Sequence, residues 1–366
     1  MLHNVIGMRK EDLDTPALCL DIGLVEANLR RMADFFSPLP ARLRPHSKTH
    51  KSPILAQMQI AAGAIGITCA KLGEAEIMAQ GGIRDILIAN QIVTPAKIAR
   101  LVNLAAYTEV MVAVDTRENV IDLAQAAAAK GVRLRVLIEV DVGMGRCGVA
   151  PGEPSLALAR EIAARPSLRF EGIMGYEGHA VMIVDPTERK RVAEAAMAKL
   201  VSTRGLIAQD GIPVPIVSAG GTGTYAITGR YPGVTEVQAG SYLTMDRQYY
   251  EVVGMREFGC ALTLLATVIH ATDERAVIDA GKKSLTADFG MPAVSIPVGW
   301  EIVRLSVEHG ALRLIYPQAT LLHVGDKVEI VPDHGCTTIN LHDEYHVFRD
   351  GVLEAIWPIS ARGKVW

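Results

Sequence analysis

The sequence predicts an α/β protein: a (β/α)8 TIM barrel followed by a second, C-terminal domain made of β-strands. Between residues 41 and 242, short apolar runs alternate eight times with Ala/Leu-rich stretches, which is the cadence of successive βα units. Residues 110–114 are apolar throughout, as a parallel strand covered on both faces requires. After residue 242 the helical stretches cease and short β-rich runs follow one another. The length of 366 residues suits a barrel of about 250 plus a smaller domain.

The eight barrel strands are expected at residues 41–46, 65–70, 85–90, 109–115, 134–141, 170–177, 215–221 and 236–242. Helices at 118–130, 153–164 and 188–209 lie between them, with glycine or proline at their ends. Eight units without a long interruption favour closure into a barrel over an open doubly wound sheet. The second domain is expected to hold strands at 261–270, 276–279, 302–307, 327–331, 345–349 and 353–357. Residues 17–21 precede the first helix and can pair with the strands of that second domain. The barrel is therefore assigned to residues 22–250, and the β domain to residues 1–21 and 251–366.

Composition narrows the partners. Nearly half the residues are apolar and 21% are charged, which is enough to bury substantial cores and excludes disorder. A formal charge of −3 without a basic block gives no electrostatic footprint for nucleic acid or anionic lipid, so a small molecule is expected. Residues 1–14 show no secretory apolar core, and no run of about 18 apolar residues suits a bilayer. A cytoplasmic location without a membrane partner is the expectation. Five cysteines without a CxxC pair argue against a disulfide framework.

Barrel enzymes carry their chemistry where strands end and βα loops begin. The first strand ends in Arg44-Pro45-His46-Ser47-Lys48-Thr49-His50-Lys51. A lysine there, its pKa lowered by Arg44 and Lys51, can bond to an aldehyde cofactor. Taken alone, the tract reads equally as an exposed basic loop. The seventh strand ends in Gly220-Gly221-Thr222-Gly223-Thr224 and the eighth in Gln238-Ala239-Gly240-Ser241-Tyr242. Glycine amides and threonine hydroxyls can cradle a phosphate, and barrels often bind phosphate with these two loops. A lone GGTG is a simple turn as readily as a phosphate site; its combination with a lysine after strand one is specific.

The fifth strand leads into Gly143-Met144-Gly145-Arg146-Cys147-Gly148, where Arg146 can meet a ring nitrogen and keep a pyridine unprotonated. The sixth ends in Tyr176-Glu177-Gly178-His179, a phenol, a carboxylate and an imidazole for positioning or proton transfer. Each of these reads equally as an ordinary loop residue. In the β domain, His334 and Cys336 place an imidazole and a thiolate two residues apart. That pair suits zinc and leaves positions open for water or substrate, although HxC alone is a weak metal signal. His309 and Asp343 are candidate outer-shell partners.

Several tracts, in order and over nearly the whole chain, resemble one family. They are Asp14-Thr15-Pro16, RPHSKTHK around Lys48, GMGRCGV around Arg146, GGTGTY at 220–225, QAGSY at 238–242, EHG at 308–310, the His334 tract, NLHD at 340–343 and WPISARG at 357–363. The family is that of the D-threonine aldolases and D-serine dehydratases, related to the alanine racemase (fold-type III) pyridoxal-phosphate enzymes. The resemblance implies an alanine racemase-like fold, with pyridoxal 5'-phosphate on Lys48. It implies cofactor contacts from His46, Arg146, Tyr176, Gly221, Thr222, Gly223, Gly240 and Ser241, and catalytic groups at Lys48, Tyr176 and His179. It also implies a divalent metal on His334 and Cys336, zinc favoured and manganese or magnesium as alternatives, and a homodimer. Aldolases of the family usually carry aspartate where this chain has Cys336, as dehydratases do; NLHD and WPISARG resemble the aldolase branch.

The implied activity is metal-assisted cleavage of a D-3-hydroxy amino acid to glycine and an aldehyde. The alternative is a D-serine or 3-hydroxy-D-aspartate dehydratase that releases a 2-oxo acid and ammonia. A non-catalytic pyridoxal-phosphate carrier is a third reading, disfavoured by the long β domain. Racemase action is a fourth, in which a metal at the β-hydroxyl has no purpose.

Overall fold

Strand β1 (Ala17–Asp21) and helix α1 (Ile22–Phe36) open the computed structural model, which describes residues 5–366. The first four residues, assigned above to the β domain, lie outside the described ones. The βα units follow as β2 (Arg42–Leu43), α2 (Pro53–Ala61), β3 (Ile67–Cys69), α3 (Leu72–Gln80), β4 (Asp85–Gln91) and α4 (Pro95–Ala105). Next come β5 (Glu109–Val114), α5 (Arg117–Lys130), β6 (Leu134–Glu139), α6 (Glu153–Ala163), β7 (Leu168–Gly175), α7 (Pro186–Gln209), β8 (Ile216–Ala219), the short α8 (Tyr225–Thr228) and β9 (Glu236–Val237).

Strands β2 to β9 form one parallel sheet in the order β2-β9-β8-β7-β6-β5-β4-β3. A parallel bridge between His46 and Thr68 links its two ends. The Ser47 amide donates to the Thr68 carbonyl (2.8 Å) and the Thr68 amide to that of Pro45 (2.9 Å), so the sheet closes. Alternate side chains of β4 to β7, among them Leu87, Met111, Leu137 and Met174, pack into one core cluster, and burying each contributes roughly 1.5–3 kcal/mol. The helices start and stop where local chemistry dictates. The Thr116 hydroxyl accepts the Asn119 amide at the start of α5, and Gly131 ends it in a left-handed turn (φ 71°). Asp185 caps α7 by accepting the Glu188 amide at 2.7 Å.

One sequence expectation is corrected here. Arg44 does not lend its charge to Lys48: it is buried, donating to Glu236 (2.5 Å) and Asp85 (2.9 Å) at the starts of β9 and β4. A buried guanidinium needs such carboxylates to offset its lost hydration.

The remaining strands are β10 (Leu262–Ala271), β11 (Arg275–Ile278), β12 (Ala293–Ile296), β13 (Trp300–Leu305), β14 (Gly310–Leu314), β15 (Lys327–Val331), β16 (Glu344–Arg349) and β17 (Val352–Pro358), with α9 (Gly335–Ile339) between β15 and β16. They build a mostly antiparallel sheet, β13-β14-β11-β10-β1-β16-β17, with β15 bonded to β10 and β12. Strand β1 joins it, antiparallel to β10 and parallel to β16. Strands β12 and β14 were not expected; β14 is the return arm of a hairpin whose turn contains the exposed His309. The chain divides into two compact units. One holds the described residues up to Arg31, Thr49–Lys51 and Ser241–Gly363; the other holds Met32–Lys48, Ser52–Gly240 and Lys364–Trp366.

Candidate active site

Lys48 follows β2 at the C-terminal end of the barrel, half-buried, in a tightly tethered turn. The neighbouring Ser47 hydroxyl donates to Glu74 (2.9 Å), whose second oxygen accepts the Ala70 amide (2.8 Å). Glu74 is fully buried, so water does not compete for this tether. The Lys48 amide donates to His46 Nδ1 at 3.4 Å. The Lys48 ammonium and the Arg146 guanidinium lie 6.0 and 5.7 Å from the ring centroid of Tyr176. An amine from β2, a guanidinium from the loop after β6 and a phenol from β7 thus gather at one end of the barrel. His179 stands apart from this group: it is exposed, and its ring packs on Gly143, where an added Cβ would lie 3.3 Å away.

The loop after β8 is shaped by Glu177, a fully buried carboxylate at the end of β7. It accepts the Gly220 amide (3.0 Å) and the hydroxyls of Thr224 (2.7 Å) and Thr228 (2.5 Å). Gly221 lies so close to Tyr176 that a Cβ would sit 3.2 Å from its ring, and a Cβ on Gly223 would overlap the Val181 carbonyl. Buried Thr222 lies between them. The Gln238 amide donates to the Ala219 carbonyl (2.9 Å), which carries Ala239 and Gly240 alongside this loop; Ser241 follows, buried, in the next turn. A cradle with no room for side chains, a nearby amine and a cation at an aromatic ring fit a phosphorylated aromatic aldehyde.

Sequence reasoning missed Glu74, Glu139 and the structural part played by Glu177. Glu139 ends β6, is 4% exposed, accepts Gln91 Nε2 at 2.5 Å and lies 3.7 Å from Arg146. Burial pushes its carboxyl above the ordinary range, opposed by Gln91 and Arg146. Its only trace in the sequence is a carboxylate interrupting an apolar run at residues 136–140. With Asp141, Met144, Arg146, Cys147 and Tyr176 it lines a small cleft. The amides of Gly145 and Gly143 donate to Asp141, pulling its pKa down and curling the Arg146 loop.

In the β unit His334 immediately precedes α9 and is half-buried, with Nδ1 3.6 Å from a buried Asp246 oxygen. That oxygen also accepts the Gly335 amide (3.1 Å). Were a metal bound, a carboxylate at Nδ1 would direct it to Nε2. The Cys336 thiol lies 3.7 Å from the hydroxyl of Thr49, the residue that follows Lys48 in the chain. The expected outer-shell partners are corrected: Asp343 is exposed and pairs with Arg362 (2.6 Å), His309 lies in its hairpin, and Asp246 accompanies His334. Among the described residues no group of three or more His, Cys, Asp or Glu is arranged to hold a metal. An imidazole and a thiol remain a competent zinc donor pair for an open site completed by water or substrate.

Comparison with known proteins places the chain in a family. Residues 20–248 match the family described as alanine racemase, N-terminal domain, and residues 261–348 the putative serine dehydratase domain. The chain is 40% identical to a D-threonine aldolase of an Arthrobacter species, over 96% of this chain and 93% of that one. It is 37% identical to a 3-hydroxy-D-aspartate aldolase of Paracoccus denitrificans strain Pd 1222, over 98% and 94%. Identity to a D-threo-3-hydroxyaspartate dehydratase of Delftia sp. strain HT23 is 32%, over 89% and 92%. The crystal structure of a D-threonine aldolase from Filomicrobium marinum matches with a TM-score of 0.95 and 37% identity, covering 100% of both chains.

Proposed function

Because the chain belongs to the alanine racemase-like family that contains the D-threonine aldolases and D-serine dehydratases, we propose that it is a pyridoxal-phosphate- and metal-dependent lyase that cleaves a D-3-hydroxy amino acid to glycine and an aldehyde. The observation that carries this reading is the gathering of Lys48 and Arg146 at the Tyr176 ring, together with a glycine loop that Glu177 holds in shape.

In this reading Lys48 would hold the cofactor aldehyde, with His46, Arg146 and Tyr176 around the ring. Amides and hydroxyls of Gly221, Thr222, Gly223, Gly240 and Ser241 would hold the phosphate. His334 and Cys336 would hold the metal, zinc favoured by the thiolate and manganese or magnesium as alternatives. When bound, the cofactor supplies an electron sink for the pair released as the Cα–Cβ bond breaks, and the metal a Lewis acid at the β-hydroxyl. The chain's residues do the rest. The Lys48 amine would return a proton to Cα so that glycine can leave. Arg146 would face the ring nitrogen and keep it unprotonated. Tyr176 fixes the ring against the glycine loop, and His179, exposed to solvent, is the remaining proton carrier.

A second reading is elimination of water to a 2-oxo acid and ammonia, on D-serine or 3-hydroxy-D-aspartate. It is favoured by Cys336, the ligand seen in the dehydratase pattern, and by the 32% identical dehydratase relative. Purified enzyme supplied with D-threonine separates the two: glycine with acetaldehyde supports cleavage, and 2-oxobutanoate with ammonia overturns it. Retained cofactor without turnover of any D-amino acid would instead indicate a carrier. The family resemblance further supports a homodimer, and the charge and hydropathy of the sequence support a cytoplasmic location without nucleic-acid or membrane partners. Among the described residues no helix is long and apolar enough to cross a membrane.

A further inference from the structure

We infer that Glu139, aimed by Gln91, is a positioning residue that sets the Arg146 guanidinium for the cofactor ring. The inference rests on the proposed function in placing the pyridine ring at Arg146. Glu139 closes β6 at the cleft wall and is buried, in an apolar run where a hydrophobic residue would pack without cost. A carboxylate kept there must serve a neighbour. Its two oxygens are divided: Oε2 accepts Gln91 Nε2 at 2.5 Å, and Oε1 faces Arg146 Nη2 at 3.7 Å.

Gln91 reaches it from the end of β4, where the register with β5 is irregular between Ile88 and Gln91. Such irregularities re-aim side chains at strand ends. The other charged group beside them, Asp115, is engaged by the Gly148 amide (3.1 Å) and so shapes the loop that carries Arg146. Arg146 itself is half-exposed on a glycine-flanked loop, between Glu139 on one side and the Tyr176 ring on the other. Without Glu139 the guanidinium keeps its charge and loses its direction. The carboxylate acts on the cofactor only through Arg146, and this makes it separable from a residue that merely supports the fold.

The test is a double-mutant cycle on protein loaded with pyridoxal 5'-phosphate: Glu139→Gln and Gln91→Ala, each alone and combined with Arg146→Ala. Absorbance of the bound cofactor is followed together with kcat and KM. We expect each single variant to shift the cofactor absorbance maximum and lower kcat on the order of tenfold, as loss of an outer-shell partner does, with KM little changed. Neither effect should add to that of Arg146→Ala. Gln91→Ala leaves the carboxylate in place, so the cycle can be completed even if Glu139→Gln fails to fold. An unaltered spectrum, or the same fold-loss with and without Arg146, overturns the inference while the proposed function stands. A wild-type chain that takes up no pyridoxal phosphate overturns both.

Discussion

Three buried glutamates decide how the candidate site is built, and each holds a different piece. Glu74 tethers the turn that carries Lys48, Glu139 faces Arg146, and Glu177 holds the glycine loop. Glu177→Ala would strand the Gly220 amide and the Thr228 hydroxyl without their acceptor and leave the Thr224 hydroxyl only the Gly221 carbonyl, which costs roughly 3 kcal/mol. The expected outcome is a lower urea midpoint together with weaker pyridoxal-phosphate retention; unchanged retention would show that the loop keeps its shape unaided. Lys48 and the glycine tract were legible in the sequence because their chemistry is carried by residue type and by position after a strand. The glutamates were not, because a carboxylate earns its part by burial, and nothing local distinguishes buried Glu177 from a solvated glutamate.

At the scale of elements, α9 and its flanks carry the metal hypothesis. Cys336→Ala is expected to abolish metal binding while leaving the cofactor absorbance in place; elemental analysis that finds a full equivalent of metal would remove Cys336 from the ligand set. Farther along, His342 donates from Nε2 to the Ser284 carbonyl (2.9 Å), and His346 is buried within β16. Burial lowers both imidazole pKa values. Below about pH 6.5 the unfolded chain therefore binds protons that the folded chain does not, and stability falls with acidification. His342→Gln should flatten the decline in Tm between about pH 7 and pH 5; an unchanged slope would assign the decline to other groups. Long apolar strands such as β5 were legible from pattern alone. Strands β12 and β14 are defined by the neighbours they pair with, β15 and β13, rather than by a pattern of their own.

At the scale of the molecule, eight βα units and a later β-rich segment predicted the architecture, and the expected pairing of residues 17–21 with the β domain is found as β1 between β10 and β16. What the linear pattern concealed is that Thr49–Lys51, directly after Lys48, belongs with the β unit. The Tyr345 hydroxyl donates to the His50 carbonyl (2.7 Å) and the Ala361 amide to that of Lys51 (3.0 Å). Ser47, just before the candidate lysine, is held by Glu74, and His50, two residues after it, by Tyr345. The proposed chemistry depends on that lysine. Borohydride reduction of the holoenzyme followed by peptide mapping tests this most directly: the account predicts a single pyridoxyl label on Lys48, and a label on another residue, or none, would contradict it.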